Sequence, residues 1–209
     1  MKAHTKETQA TMTPEKSLQF LKEGNERFQN NLKANRNLLE QVNDTSEGQF
    51  PFATILSCID SRVSAELVFD QGLGDIFSVR IAGNFVNEDI LGSMEFGCKL
   101  AGTKLIVVLG HTSCGAIKGA CDHARLGNLT ALINKIEPAV AAVKEPADES
   151  LRNSKNLEFV DMVAEKNVQM TLDNIRKRSS VLAEMEEKNE IMIVGAMYDI
   201  STGAVKFYD

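Results

Sequence analysis

Two short segments of this 209-residue sequence carry reactive side chains at close spacing. In "ILSCIDSRVSAE", a cysteine, an aspartate and an arginine follow one another at two-residue steps as Cys58, Asp60 and Arg62. In "GHTSCGAIKG", His111 is followed three residues later by Cys114. Two thiolates and one imidazole leave a fourth tetrahedral position without a protein ligand, which is the pattern of a catalytic zinc site. Soft donors of this kind also favour zinc over magnesium or calcium.

The chain must bring these two segments together, and its apolar pattern indicates how. Four short apolar runs are predicted as strands, at residues 52–57, 76–82, 104–110 and 190–199. Amphipathic segments are predicted as helices, at residues 64–72, 88–102, 128–143 and about 151–178. The first and third strands are apolar at nearly every position, as in parallel sheets that helices cover on both faces. The sequence therefore predicts an α/β fold with an open, mostly parallel sheet of four strands in the order 2-1-3-4. A C-terminal antiparallel strand follows a turn at residues 201–203.

The reactive residues fall at the carboxyl ends of two of these strands. Cys58 comes one residue after the first strand, and His111 follows the third strand directly. A doubly wound strand order places these strands side by side, and their carboxyl ends then open the crevice in which such folds bind ligands. We therefore expect Cys58, His111 and Cys114 to form one metal site. The alternative is a buried histidine with two core cysteines.

The N-terminal residues are predicted to form a helical extension of this fold. Thr13 and Pro14 mark a helix start, and apolar residues at helical spacing continue to about Asn31. A second helix is predicted over "RNLLEQVND". With no strand between them, the helices of residues 13–45 are expected to form a dimerisation arm. Residues 1–12 are predicted to be a flexible tail, and residues 13–209 a single α/β domain.

Composition and charge exclude several classes of function. The formal net charge of −6 gives no basic surface for nucleic acid. No apolar run approaches the roughly 20 residues of a membrane span. The first residues lack the apolar segment of a secretory signal, so we expect a cytoplasmic location. Four cysteines in such a chain argue against a disulfide framework, and Cys98 and Cys121 are predicted to be core residues.

The motifs also resemble those of the β-class carbonic anhydrases. The resemblance rests on "FLKEGNERF" (20–28), "CIDSR" (58–62), "VRIAGN" (79–84) and "GHTSCGAIKG" (110–119), and it covers about residues 15–209. It implies one Zn²⁺ held by Cys58, His111 and Cys114, beside a catalytic dyad of Asp60 and Arg62. The implied activity is the reversible hydration of CO₂ to bicarbonate and a proton by a zinc-bound hydroxide. The implied assembly is a homodimer or homotetramer whose N-terminal helices embrace the neighbouring subunit.

The resemblance also assigns the residues around the substrate. Gln49, nine residues before Cys58, matches a glutamine that helps to orient CO₂. The remaining positions of the apolar cleft are matched by Phe77, Phe96, Ala82 and Gly115, of which Phe96 is expected to serve the partner subunit's site. Many relatives have valine in place of Ala82, so the cleft is expected to be slightly wider. His123 is a candidate proton shuttle by residue type alone.

One departure from the family pattern concerns regulation. Some bacterial members carry an inhibitory bicarbonate pocket built from a tryptophan, an arginine and a tyrosine. Arg80 and Tyr198 match two of these positions, but the sequence contains no tryptophan and Ile55 stands in its place. We therefore do not expect that form of inhibition, and we expect an active state in which Arg62 holds Asp60 off the zinc.

Two other functions share the same ligand residues. The first is hydrolysis of carbonyl sulfide or carbon disulfide, which the ligands alone do not distinguish from CO₂ hydration. The second is a zinc-binding or thiol-redox protein without turnover. The separation of Cys58 from Cys114 argues against a Cys-x-x-Cys redox pair. The presence of both Asp60 and Arg62 argues against a purely structural zinc site, because neither residue is needed to hold the metal.

Overall fold

The computed structural model describes residues 2–208, so the terminal residues of the predicted tail and domain lie outside it. Its centre is a five-stranded sheet in the order β2-β1-β3-β4-β5. The strands are β1 (Ala53–Ser57), β2 (Ile76–Arg80), β3 (Leu105–His111), β4 (Met192–Tyr198) and β5 (Val205–Phe207). The first four are parallel, and β5 runs antiparallel to β4. The predicted fold class and strand order are therefore confirmed.

Two apolar layers cover the central strands. Every residue of β1 and β3 is buried, as the continuous apolar runs predict. Because successive side chains alternate between the faces, Leu56 belongs to one layer and Ile55 to the other. In the β1–β3 register Ser57 pairs with Leu109, so Cys58 follows at the level of Gly110. This register brings Cys58 close to His111, the last residue of β3.

The helices after β1 differ from the predicted ones mainly at their ends. They are α4 (Ala65–Val68), α5 (Glu88–Glu95), α6 (Gly115–Cys121), α7 (Gly127–Ala142), α8 (Leu157–Arg178) and α9 (Ser180–Glu187), with a π-helical turn at Phe96–Leu100 and a 3₁₀ turn at Glu149–Leu151. The first ends early because Asp70 adopts a left-handed conformation (φ 45°). The longest begins at Leu157, where the Asn156 side chain accepts a hydrogen bond from the Phe159 amide. Helices α6 and α9 were not predicted.

The first twelve residues are not simply a tail. A short helix, α1 (Lys6–Ala10), begins with a reciprocal capping box between Thr5 and Thr8. The Gln9 side chain donates to the backbone carbonyls of Pro51 (2.7 Å) and Ala101 (2.8 Å). Met12 is buried in the core. The predicted tail is therefore wrong for residues 5–12, because these contacts join them to the segments that lead into β1 and β3.

The predicted arm consists of α2 (Pro14–Gln29) and α3 (Leu38–Asp44), which differ in their packing. Helix α2 packs on its own chain: Gly24 lies so close to Phe69 that an added Cβ would be 1.8 Å from the Phe69 carbonyl oxygen. The Asn25 side chain donates to the carbonyls of Val68 and Gly203 and accepts from the Val205 amide. Helix α3, in contrast, exposes the large apolar residues Leu38, Leu39 and Val42. Of these two helices, α3 is the one that presents an apolar face to solvent.

No helix within residues 2–208 has the length and apolarity that crossing a membrane requires.

Candidate metal centre and active site

The three predicted metal ligands converge at the carboxyl end of the sheet. Cys58 follows β1, His111 ends β3, and Cys114 caps the start of α6. All three residues are buried, and their ligand atoms lie within 4.8 Å of one another. The two Sγ atoms are 3.9 Å apart. The fold thus brings together two segments that are far apart in the sequence.

The geometry and chemistry of these ligands fit zinc. At Zn–S distances of about 2.3 Å, tetrahedral coordination puts two sulfurs about 3.8 Å apart, close to the separation in this structure. His111 Nδ1 lies 3.0 Å from the Thr112 carbonyl, which can only accept, so this nitrogen carries the proton. His111 Nε2 is buried and has no hydrogen-bond partner of normal geometry among the described residues. A metal ion bound at the cluster would give this buried nitrogen a partner, and a buried polar atom without a partner costs free energy.

The hydrogen bond between Cys58 and Cys114 shifts the pKa values of the two thiols in opposite directions. A hydrogen bond from the Cys114 thiol lowers the pKa of Cys58 to about 4, against the opposing effect of burial. The Gly83 amide also approaches Cys58 Sγ at 3.5 Å. The same shared proton, together with burial, raises the pKa of Cys114 well above its usual range. The pair therefore keeps its remaining proton on Cys114.

The other two cysteines have the opposite environment. Burial raises the pKa of Cys98 and of Cys121 to about 11, so both remain thiols at neutral pH. Cys98 Sγ accepts a hydrogen bond from the Thr103 hydroxyl at 3.3 Å. Both side chains are buried in the apolar layer that contains α6 and α8. Their predicted place in the core is confirmed.

Asp60 and Arg62 form a bidentate ion pair beside the ligands. Arg62 Nε donates to Asp60 Oδ1 (2.9 Å), Arg62 Nη2 donates to Oδ2 (2.7 Å), and the Arg62 amide also donates to Oδ1. Arg62 thereby holds the pKa of Asp60 well below its usual range. Asp60 Oδ2 lies 4.0 Å from His111 Nε2. An ionised carboxylate is thus fixed at the open side of the three ligands.

Residues outside the ligand segments support both ligand loops. Arg80, from the neighbouring strand, donates to the carbonyls of Cys58 (3.0 Å) and Asp60 (2.7 Å). Asn167 of α8 donates to the Gly83 carbonyl at 2.8 Å and so holds the turn whose amide faces Cys58. The first loop is therefore braced from β2 and from α8.

The second loop is held by contacts with β4 and α8. The Thr112 amide donates to the Tyr198 carbonyl at 3.0 Å. The Ser113 amide donates to Asp161 Oδ1 at 2.8 Å. Neither Asp161 nor Asn167 is marked by spacing or residue type in the sequence, since both lie on a long amphipathic helix far from the ligand motifs.

The residues matched to the inhibitory pocket are engaged in the fold itself. The Arg80 guanidinium is bound to the first ligand loop, Tyr198 is buried at the end of β4, and Ile55 is fully buried in β1. The absence of bicarbonate inhibition stays a prediction.

The aromatic cleft residues lie beside the open edge of the sheet. The rings of Phe77 and Phe96 are 6.2 Å apart. Together with residues of β2 and α5 they line a groove of about 820 Å³, and no metal ligand contributes to its wall. Ala82 is half-buried in the turn after β2, and Gly115 is exposed at the start of α6, where an added Cβ would meet open space.

The structure does not bring Gln49 to the ligands of its own chain. Gln49 is exposed and shares a surface pocket with Val42 and Leu73. It precedes β1, whereas Cys58 follows β1. At about 3.3 Å per residue, the strand separates the two positions by about 15 Å or more.

His123 is also outside the ligand cluster. It follows α6, its side chain is exposed, and its Nδ1 lies 3.2 Å from Glu137. The seven residues of α6 put about 10 Å between His123 and Cys114. Its role as proton shuttle stays a prediction from residue type.

Known proteins share both the sequence pattern and the fold. Residues 53–205 match the carbonic anhydrase family model. The chain is 35% identical to carbonic anhydrase 2 of Mycobacterium tuberculosis over 195 residues, with 90% of each chain covered. It is 33% identical to a carbonic anhydrase of Mycolicibacterium smegmatis over 192 residues, with 89% of each chain covered.

Solved structures agree with this assignment. The β-carbonic anhydrase CcaA superposes with a TM-score of 0.72 at 26% identity, covering 92% of this chain and 95% of that one. The β-carbonic anhydrase CafA of Aspergillus fumigatus superposes with a TM-score of 0.71 at 26% identity, covering 82% and 81%. With the ligand geometry, the family match and these structures, the chain belongs to the β-carbonic anhydrase family of enzymes.

Proposed function

We propose that this enzyme hydrates CO₂ reversibly to bicarbonate and a proton, with one zinc ion held by Cys58, His111 and Cys114. The observation that carries the proposal is the convergence of these ligand atoms within 4.8 Å, with an ionised carboxylate 4.0 Å from His111 Nε2. A zinc ion held by these residues would lower the pKa of a coordinated water to about 7 and so supply a nucleophile at neutral pH.

Asp60 and Arg62 orient the attack. Because Arg62 keeps the Asp60 carboxylate ionised, this group can only accept hydrogen bonds. Asp60 Oδ2 accepts from the attacking water and directs its lone pair towards the substrate carbon. Arg62 occupies the carboxylate from the other side and keeps Asp60 from becoming a fourth ligand. The ion pair thus leaves the open position free for reaction.

A second copy of the chain completes the substrate site. CO₂ is uncharged, so its oxygen needs a donor as negative charge develops during attack. Gln49 supplies that amide donor, but it lies at the opposite end of β1 from the ligands of its own chain. Phe96 is likewise exposed beside the open edge of the sheet. The functional unit is therefore a homodimer, or a tetramer built from such dimers.

The activity is tested by stopped-flow CO₂ hydration between pH 6.5 and 9, with carbonyl sulfide as a competing substrate. The zinc-loaded wild type is expected to hydrate CO₂ in preference to carbonyl sulfide. A β-carbonic anhydrase from Coccomyxa, 25% identical to this chain, has been solved with acetazolamide, so acetazolamide is expected to inhibit the reaction. A zinc-loaded protein that hydrolyses carbonyl sulfide faster, or that turns over neither substrate, would contradict the proposal.

The contribution of the second copy is tested by mixing two damaged chains. Gln49→Ala and Cys58→Ala each impair every site of their own homodimers. If Gln49 acts across the interface, a mixed dimer contains one fully wild-type site, and random exchange restores about a quarter of the wild-type sites. Activity that does not rise above the sum of the separate variants after subunit exchange would exclude this arrangement.

A further inference from the structure

We propose that Asp161 on α8 is a positioning residue for the second thiolate ligand, Cys114, and that it acts through the backbone amide of Ser113. The inference rests on the proposed function, because it concerns a ligand of the proposed zinc site. It adds a residue outside both ligand motifs to the machinery that shapes this site.

The first observation is the contact itself. The Ser113 amide donates to Asp161 Oδ1 at 2.8 Å. A hydrogen bond to an ionised carboxylate is stronger than one between neutral groups. Asp161 is half-buried, and its neighbours Val160 and Val163 are fully buried in the apolar layer. The Asp161 carboxylate therefore belongs to a helix whose position is fixed by packing in the core.

The second observation is the backbone conformation that this bond supports. Ser113 has a φ of 54°, in the left-handed region that residues other than glycine seldom adopt. Such a conformation persists where the surrounding structure holds it in place. The bond to Asp161 supplies that support at the residue that needs it.

The position of Ser113 explains why its conformation matters. On one side, His111 belongs to β3, and Thr112 is tied to the Tyr198 carbonyl and to the Ile200 amide. On the other side, Cys114 begins α6. Ser113 is thus where the chain turns from strand to helix, and its dihedral angles set the direction of Cys114 Sγ relative to His111. Loss of the bond to Asp161 is expected to loosen Cys114 while leaving His111 in place.

The test compares zinc loss from variants of the zinc-loaded, full-length protein in the presence of an excess chelator. Asp161→Ala is expected to release zinc about 10- to 100-fold faster than the wild type, the usual effect of removing a group that orients a metal ligand. Asp161→Asn keeps an oxygen acceptor and is expected to fall between the two. Glu158→Ala is the matched control, since Glu158 is an exposed acid in the first turn of the same helix.

A double variant separates positioning from general destabilisation. Glycine adopts a φ near 54° without steric cost, so Ser113→Gly is expected to recover part of the zinc retention lost in Asp161→Ala. Thermal melting of all variants shows whether they are folded. If Asp161→Ala does not fold, Asp161→Asn and the double variant still allow the comparison.

A metal-free readout distinguishes failure of this inference from failure of the proposed function. In the metal-free protein, hydrogen exchange at the Ser113 amide is expected to be faster in Asp161→Ala than in the wild type, and unchanged in Glu158→Ala. Wild-type zinc retention in Asp161→Ala, or equal loss in Asp161→Asn and Asp161→Ala, would overturn the positioning role. A wild type that binds no zinc would instead contradict the proposed function, and the exchange measurement would still decide the role of Asp161 in holding the loop.

Discussion

The two ligand loops hold the same site in different ways. The loop after β1 contains its own ion pair, Asp60 with Arg62, and is braced by Arg80 of the adjacent strand and, through the Gly83 turn, by Asn167 of α8. The loop after β3 contains a strained residue, Ser113, and is tied to Asp161 on α8. In the proposed mechanism the first loop carries Asp60, the group that orients the attack, and the second carries two of the three proposed metal ligands.

This difference separates two kinds of failure. Changes in the first loop that spare Cys58 should lower the rate per bound zinc, because Asp60 directs the attack. Changes in the supports of the second loop should lower zinc retention, because they release Cys114.

Both loops are equally necessary for the metal. Cys58→Ala and Cys114→Ala are each expected to reduce bound zinc from about one per chain to nearly none and CO₂ hydration by more than about 1000-fold, because the nucleophile is lost. Metal analysis and stopped-flow assays check this. Cys98→Ala is the matched control, since the Cys98 thiol is buried with its pKa raised to about 11, and it should keep its zinc.

The orienting group is expected to act on the rate alone. Asp60→Asn keeps the size of the side chain but removes its charge, so it should retain zinc and lose roughly 10- to 100-fold in CO₂ hydration per bound zinc. Side-by-side measurement of zinc content and rate compares it with Asp161→Ala, for which we expect faster zinc loss and a largely preserved rate per bound zinc. Equal zinc loss from both variants would contradict the separation of the first loop, which affects the rate, from the second loop, which affects zinc retention.

Loss of the Arg80 hydrogen bonds is expected to have an intermediate effect on CO₂ hydration. Arg80→Ala removes two hydrogen bonds to the backbone of the first loop and should lower CO₂ hydration by about 10-fold, with most of the zinc retained. Arg152→Ala is the matched control, because Arg152 donates to the backbone carbonyls of Pro146 and Lys144, between α7 and α8 and outside both ligand loops. Equal rates for the two arginine variants would show that the first loop does not depend on β2.

The smallest expected effect is a pH-dependent change in stability. Arg62 lowers the pKa of Asp60 in the folded protein, so the ion pair stabilises the fold above the pKa of about 3.9 that an unfolded aspartate has. This contribution is lost as the pH falls through the lower pKa of the folded state. The difference in free energy of unfolding between wild type and Arg62→Ala should therefore be constant above about pH 5 and shrink towards lower pH. Urea unfolding between pH 3 and 7 checks the direction, and a difference that grew with acidity would contradict it.

The convergence of Cys58, His111 and Cys114 could be predicted because their motifs lie at strand ends. Cys58 and His111 are marked by the apolar runs before them. The carboxyl ends of adjacent parallel strands lie at the same edge of the sheet. The ion pair of Asp60 and Arg62 could also be predicted, since the two residues are only two positions apart in the sequence. The fold class and strand order follow from the same apolar runs.

The supports could not be predicted because they depend on tertiary contacts. Asp161 and Asn167 are ordinary polar residues of an amphipathic helix until α8 packs beside the ligand loops. Helix α6 was missed because its seven residues, which begin with Gly115, are too few to show helical periodicity. Helix α9 was missed because Ser179 ends one helix and caps the next. The segment of residues 5–12 shows no apolar periodicity, since its contacts with the rest of the chain depend on Gln9 and on one apolar residue, Met12.

The most direct test of the zinc site is a titration of metal-free protein with Zn²⁺ while CO₂ hydration is measured. We predict that the rate rises in proportion to bound zinc and reaches its plateau at one zinc per chain, and that Cys58→Ala shows no rise over the same range. Hydration that is independent of zinc, or a protein that binds one zinc per chain at Cys58, His111 and Cys114 and stays inactive, would contradict the account.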